Sequence, residues 1–304
     1  MSVLICGSLA FDTITNFTGK FSHQILPEQV HILNVAFLVP KMRREFGGCA
    51  GNIAYTIKAL GGNPIIIGAL GHDGGSYISR LQKLNIDARW IHIEANDFTA
   101  QAFIITDEDN NQITAFHPGA MNQAHRAHIP VVEGSITLAI IAPDGRESMQ
   151  LRAQQLSQRN IPFVFDPGQG LPMFNGQELM EFMQRATWIA VNDYEGRMLC
   201  DRTGLSLSEI SNLPQLQGLI VTLGAQGCDV WIGGKQTHVP GEVAKALVDP
   251  TGCGDAFRAG LLYGLEKGWD LVRCVKLGNS LGAVKIAHQG GQNHEIPIEL
   301  QELN

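Results

Sequence analysis

The 304-residue sequence has little charge, with 17% Asp, Glu, Lys and Arg, and few aromatic residues, 7%. Its net charge is −7, so it lacks the basic surplus by which a protein tracks nucleic-acid phosphates. None of its six cysteines, Cys6, Cys49, Cys200, Cys228, Cys253 and Cys274, forms a C-x-x-C pair. A chain of this length does not need disulfide staples, and reduced thiols in a cytoplasmic protein are expected. No run approaches the roughly 18 apolar residues of a membrane span. The opening "MSVLICGSLAFD" has no basic start and reads as a buried strand rather than a signal peptide. There is no G-x-x-x-x-G-K-[ST] phosphate loop and no G-x-G-x-x-G fingerprint after a strand. The second absence disfavours hydride transfer from a nicotinamide.

What is present is an alternation. The runs "SVLICGS", "PIIIGAL", "ITLAIIAP", "IPFVFDPG", "TWIAVND" and "QGLIVTLG" read as short buried strands. Helical stretches such as "AGNIAYTIKALGG", "GGSYISRLQKLNI", "RESMQLRAQQLSQRN" and "GQELMEFMQRA" separate them, and "GLEKGWDLVRCVKLGNSLGAVKIAHQGG" reads as paired helices. Strands alternating with helices predict an α/β fold with a mostly parallel sheet buried on both faces. Residues 13–46 and 99–118 break the rhythm. The second reads as two strands joined at Asp109–Asn111. Both segments are expected to form a small β-sheet lid on a single domain spanning 1–304.

The stretch "DPTGCGDAF", Asp249–Phe257, carries the most chemistry. Glycines free the backbone so that the N–H groups of Gly252, Cys253 and Gly254 can face one way at the start of a helix. A helix N-terminus holds phosphate oxygens there. Asp255, in the first turn, would lie beside that phosphate, where a carboxylate takes the proton of an attacking hydroxyl. A helix N-terminus can lower a thiol pKa, but Cys253 reads as a tolerated small residue rather than a nucleophile. A plain glycine turn capped by an aspartate is the simpler alternative.

The neighbouring motifs decide between these. "DPTGCGDAFRAGLL" resembles the C-terminal signature of the ribokinase-like, or PfkB, carbohydrate and nucleoside kinases. "GGCAGNIAYTIKALG" is similar to their N-terminal signature, with Gly47, Gly48, Asn52, Ala54 and Gly61 in place and Gly71 completing it. "NDYE" at 192–195 resembles the family's N-x-x-E element, and "TLGAQG" at 222–227 its ATP loop. "CGSLAFD", "FSHQILPEQVH", "AFHPGAM" and "FDPGQGLPMF" are similar to a bacterial subgroup of adenosine or broad-specificity nucleoside kinases.

The resemblance implies a ribokinase-like fold and ATP-dependent phosphorylation of a nucleoside 5′-hydroxyl, with a sugar kinase acting on ribose, fructose or 2-keto-3-deoxygluconate as the alternative. A silent nucleotide-binding protein on the same scaffold is a third reading, which intact Asp255 and N-x-x-E oppose. By resemblance Asp255 is the base and Gly252, Cys253 and Gly254 form the anion hole. Ser8, Asp12, Gly48 and Asn52 contact sugar hydroxyls, while Phe116 and Gln169 lie near the base. Asn192, Thr222, Gly224, Gly227 and Asn279 belong to the ATP site. Glu195 would order magnesium through water, and Asp249 and Thr251 would bind an activating potassium ion with carbonyls near Ala287–Gly290. Several of these have plain alternatives: Asp12 and Asn52 as caps, Phe116 as a packing residue, Glu195 as an acid favoured by a helix dipole. A small-molecule nucleoside and ATP are the expected partners, without nucleic acid or membrane. A homodimer through the edges of the lid strands is also expected.

Overall fold

The computed structural model describes residues 2–25, 34–109, 111–130 and 136–301. The chain opens with β1 (Ser2–Cys6), β2 (Ala10–Asn16), β3 (Lys41–Gly47), α1 (Cys49–Ala59), β4 (Pro64–Ile67) and β5 (Ala69–Gly71). Next come α2 (Gly75–Lys83), β6 (His92–Glu94), β7 (Ala100–Thr106), β8 (Gln112–His117) and β9 (Ile136–Ile141). A regular alternation follows: α3 (Arg146–Gln158), β10 (Phe163–Phe165), α4 (Gly176–Arg185), β11 (Trp188–Asn192), α5 (Asp193–Thr203), α6 (Leu207–Ile210) and β12 (Gly218–Thr222). The chain then turns through β13 (Gly227–Ile232) and β14 (Lys235–Pro240) into α7 (Cys253–Glu266), α8 (Leu271–Ile286) and α9 (Ile298–Gln301).

The main sheet has the order β14-β13-β12-β11-β10-β9-β1-β4. It is parallel from β4 to β12, and β13 and β14 add an antiparallel edge. Successive strand residues point to opposite faces. Val3, Ile5, Ile66 and Ile140 therefore pack against α1, α2 and α7, while Leu4, Cys6, Ile67 and Ile141 pack against α3, α4 and α5. Two apolar faces explain why the strands read as continuous hydrophobic runs. The run "PIIIGAL" is divided: β4 joins the main sheet and β5 pairs with β6 in a separate two-stranded sheet. Among the described residues no helix is long and apolar enough to cross a membrane.

Four strands form the small second sheet, in the order β3-β2-β7-β8. The expected lid segments supply these strands, with β2 beginning at Ala10 rather than Thr13. Residues 26–33 of the first segment, and Asn110 in the hairpin turn, lie outside the described residues. Register places Glu45, Asp12, Ala102 and Phe116 directly opposite one another across all four strands. Directly paired residues share a face of the sheet, so Asp12 and Phe116 face the same side, two strand spacings or roughly 10 Å apart.

Candidate active site

Open α/β sheets bind ligands beyond the carboxyl ends of their parallel strands. Here Ser8 follows β1, Asp166 follows β10, Asn192 ends β11 and Thr222 ends β12. Helix α7 begins with Gly252 as its N-cap, at φ 79°, a left-handed conformation that glycine adopts without strain. Asp255 sits in its first turn. Gly254 is exposed there, and the amide of Cys253 donates to the Pro250 carbonyl at 3.2 Å. Burial pushes the Cys253 thiol pKa up, against the opposing charge of Lys285, which accords with a tolerated small residue rather than a nucleophile.

Asp255 is joined to the N-terminal signature by a chain of polar contacts. Asn52 Nδ2 donates to Asp255 Oδ2 at 2.8 Å. Gln292 Nε2 donates to Asn52 Oδ1 at 3.2 Å and to the Tyr77 hydroxyl at 2.7 Å, and that hydroxyl donates to the Gly47 carbonyl at 2.7 Å. Asn52, Tyr77 and Gln292 are all buried, so a low dielectric keeps this chain rigid. Burial raises the Asp255 pKa to about 6, with Asp166 adding to the rise and the Asn52 hydrogen bond opposing it. Burial likewise raises Asp12 to about 6, helped by the negative charges of Asp255, Asp249 and Glu45. Gly47 makes room for Asp12: a Cβ at residue 47 would lie 2.4 Å from Asp12 Oδ2. The two carboxylates of the site thus both titrate near the range where a general base is effective.

Behind Asp255 lies a buried ion pair. Arg258 on α7 donates from Nε and Nη2 to Asp166 at 3.1 and 3.2 Å. The same guanidinium opposes the raised pKa values of Asp255 and Glu195. The N-x-x-E element forms a capping box at the start of α5: Glu195 accepts from the Asn192 backbone and side chain at 2.8 and 2.9 Å, and Asn192 Oδ1 accepts from the Glu195 amide at 2.8 Å. Burial raises the Glu195 pKa, and Asp166 adds to it. Among the described residues no three His, Cys, Asp or Glu side chains are grouped to hold a metal.

A cavity of about 570 Å³ opens beside the start of α7. Thr222, Gly224, Gly227 and Asn279, four of the five expected ATP-site residues, line it beside Cys253 and Gly254, whereas Asn192 and Gly252 do not. Asn279 Nδ2 is held by the carbonyl of Pro240 at 2.9 Å. Ser8 and Gly48 have structural partners: the Ser8 hydroxyl accepts from the Cys49 amide at 3.1 Å, and Gly48 is the N-cap of α1. Phe116 is 52% exposed on β8, too open to be a core residue. Gln169 is exposed in the turn after β10.

The Asp249 carboxylate accepts from the amides of Thr251 and Gly290, each at 2.9 Å. These bonds outweigh burial and hold its pKa below the usual range. The carbonyls of Asp249 and His288 receive the ammonium of Lys285, at 2.7 and 3.0 Å. Sequence reasoning missed Lys285, Gln292, Tyr77 and the Asp166–Arg258 pair. Only the last had a local signal, since Asp166 lies in "FDPGQG" and Arg258 in "GDAFRAG".

This geometry agrees with what the chain is similar to. The structure of Burkholderia thailandensis nucleoside kinase in complex with inosine shares 46% identity at a TM-score of 0.88, covering 99% of this chain and 95% of that one. The same kinase in complex with ADP-inosine shares 48% at a TM-score of 0.85, covering 99% and 93%. The Methanocaldococcus jannaschii nucleoside kinase structure, from an archaeal member of the ribokinase family, shares 28% at a TM-score of 0.88, covering 100% and 98%. The model of the pfkB family carbohydrate kinases matches residues 23–299, so the chain belongs to that family and is a phosphotransferase.

Proposed function

We propose that this kinase transfers the γ-phosphoryl group of ATP to the 5′-hydroxyl of a nucleoside. The observation that carries the reading is the shared face of Asp12 and Phe116. A carboxylate for ribose hydroxyls and an exposed aromatic stand on one side of the small sheet, at the separation of a sugar and its base. Gln169 supplies an exposed amide on the same reading. The structures with inosine and with ADP-inosine, at 46% and 48% identity, support it.

Phosphoryl transfer demands positioning and charge neutralisation. Asp12 and Asn52 would fix the ribose so that its primary hydroxyl faces Asp255. Asp255 accepts the hydroxyl proton as the oxygen bonds to the γ-phosphorus, and the bond to the β-phosphate oxygen breaks to release ADP. The α7 N-terminus at Gly252–Gly254 stabilises the charge gathering on the phosphoryl oxygens. Magnesium arriving with ATP would offset the phosphate charge. An ion arriving on a nucleotide keeps most of its waters and needs one or two carboxylates nearby, a role Glu195 suits with Asn192 holding it. The small sheet would close over the nucleoside and exclude water.

The far face of that sheet carries Met42, Phe103 and Ile113, all exposed. This apolar surface supports a homodimer through the small sheet, and a monomeric mass by sedimentation would remove it. Six free thiols and the need for ATP support a cytoplasmic location. The activity is tested by identifying the product of inosine, ATP and magnesium: a 5′-monophosphate is expected, and no ADP release with any nucleoside or sugar would restore the silent-protein reading.

A further inference from the structure

Lys285 lies on α8 with none of its surface exposed. A lysine is almost never fully buried unless paired. Its Nζ donates to the Asp249 carbonyl, just before the glycine turn, and to the His288 carbonyl, just after α8. Its Cε lies 3.7 Å from the point where a Cβ on Gly252 would stand. The charge therefore sits directly under the α7 N-cap. Burial draws the Lys285 pKa down, and the side chains of Cys253, Asp249 and Asp255 oppose that.

The residues present do not fit the potassium ion expected at Asp249 and Thr251. A bound cation needs several oxygen ligands converging on one point. Here the two backbone carbonyls that cross from the pre-α7 loop to the end of α8 already serve an ammonium, and the Asp249 carboxylate is satisfied by two amides and by the Arg43 guanidinium at 3.5 Å. A second positive charge a few ångströms away would be repelled strongly in so dry a place. We propose that the Lys285 ammonium takes the place of a monovalent cation beneath the anion hole, so that this kinase reaches its full rate without potassium. The ammonium ties the glycine turn to the end of α8 and lends positive potential to the amides that hold the phosphoryl group. Lys285 is a positioning residue, acting through Gly252–Gly254.

The inference rests on the phosphotransferase reading but not on which acceptor is used. The test compares rate and melting temperature of the wild type in choline chloride, sodium chloride and potassium chloride at equal ionic strength. Equal rates and equal melting temperatures are expected. A potassium-specific gain in either overturns the proposal, since anything that binds only the folded state must raise its stability. Lys285→Ala supplies the second arm. Its kcat is expected to fall at least ~10-fold, with potassium or ammonium salts restoring part of the rate where sodium and choline do not. A folded variant with the wild-type rate, or a slow one that neither salt restores, makes Lys285 a packing residue and overturns the proposal. If the variant does not fold, the wild-type comparison decides. Melting does not depend on turnover, so an inactive preparation would count against the kinase reading and not against this one.

Discussion

Asn52 Nδ2 stands 2.8 Å from Asp255 Oδ2, so a residue of the first signature and the carboxylate of the last are bonded to each other 203 positions apart. One bond couples the residue expected to hold the acceptor to the residue expected to take its proton.

Asp255→Asn keeps the shape of that contact and removes the proposed base. Turnover is expected to fall ~10²–10⁴-fold while ATP binding stays nearly unchanged. Calorimetric titration with ATP beside the rate assay checks both halves. A variant with near-normal turnover would move the proton to another group.

The bond also sets a pH dependence. Asp255 acts as a base only when ionised, and its pKa is raised to about 6. The rate should therefore fall as pH drops through about 6 and level off above it. Asn52 donates to the ionised form and so lowers the pKa. Asn52→Ala removes that donor, and the acid limb of the kcat profile should move to higher pH. A limb that stays in place would assign the titration to a different group.

Glu195 gives a separate handle. Glu195→Gln removes a negative charge beside the expected position of the hydrated ion while keeping an acceptor for the Asn192 amide. The magnesium concentration at half-maximal rate should rise. An unchanged magnesium titration would leave Glu195 as the capping residue that the geometry shows it to be.

The parts of the site that were legible in the sequence are local. The glycine turn and Asp255 lie within four residues, and the neighbouring signature motifs distinguish that turn from a plain capped one. Asn192 and Glu195 are three apart, the spacing of a capping box, and they form one. The alternation of buried strands and helices was visible because both faces of the main sheet are covered. What stayed hidden depends on distant segments meeting. Gln292 and Tyr77 are ordinary residues by sequence, and only the fold brings them to Asn52 and Gly47. Lys285 carries no local signal within α8, yet it is wholly buried against two carbonyls. Motif matching does not register such a buried charge, which is why the proposal that Lys285 stands in for the expected potassium ion had no counterpart in the sequence.

The acceptor is the centre of the account. The proposed contacts at Asp12 and Asn52 would serve a ribose whether or not a base is attached, so discrimination must arise beyond the anomeric carbon. Phe116, exposed on the face that carries Asp12, offers a stacking surface there. Stacking of a base on an aromatic ring contributes ~1–3 kcal/mol, which a free sugar does not gain. The most direct measurement is kcat/KM for adenosine and inosine against ribose and fructose, in the wild type and in Phe116→Ala. The account predicts a preference for the nucleoside of at least ~10-fold, the low end of that stacking range, with Phe116→Ala weakening nucleoside use and leaving any sugar activity largely intact. Ribose or fructose as the better acceptor would contradict it and make this a sugar kinase.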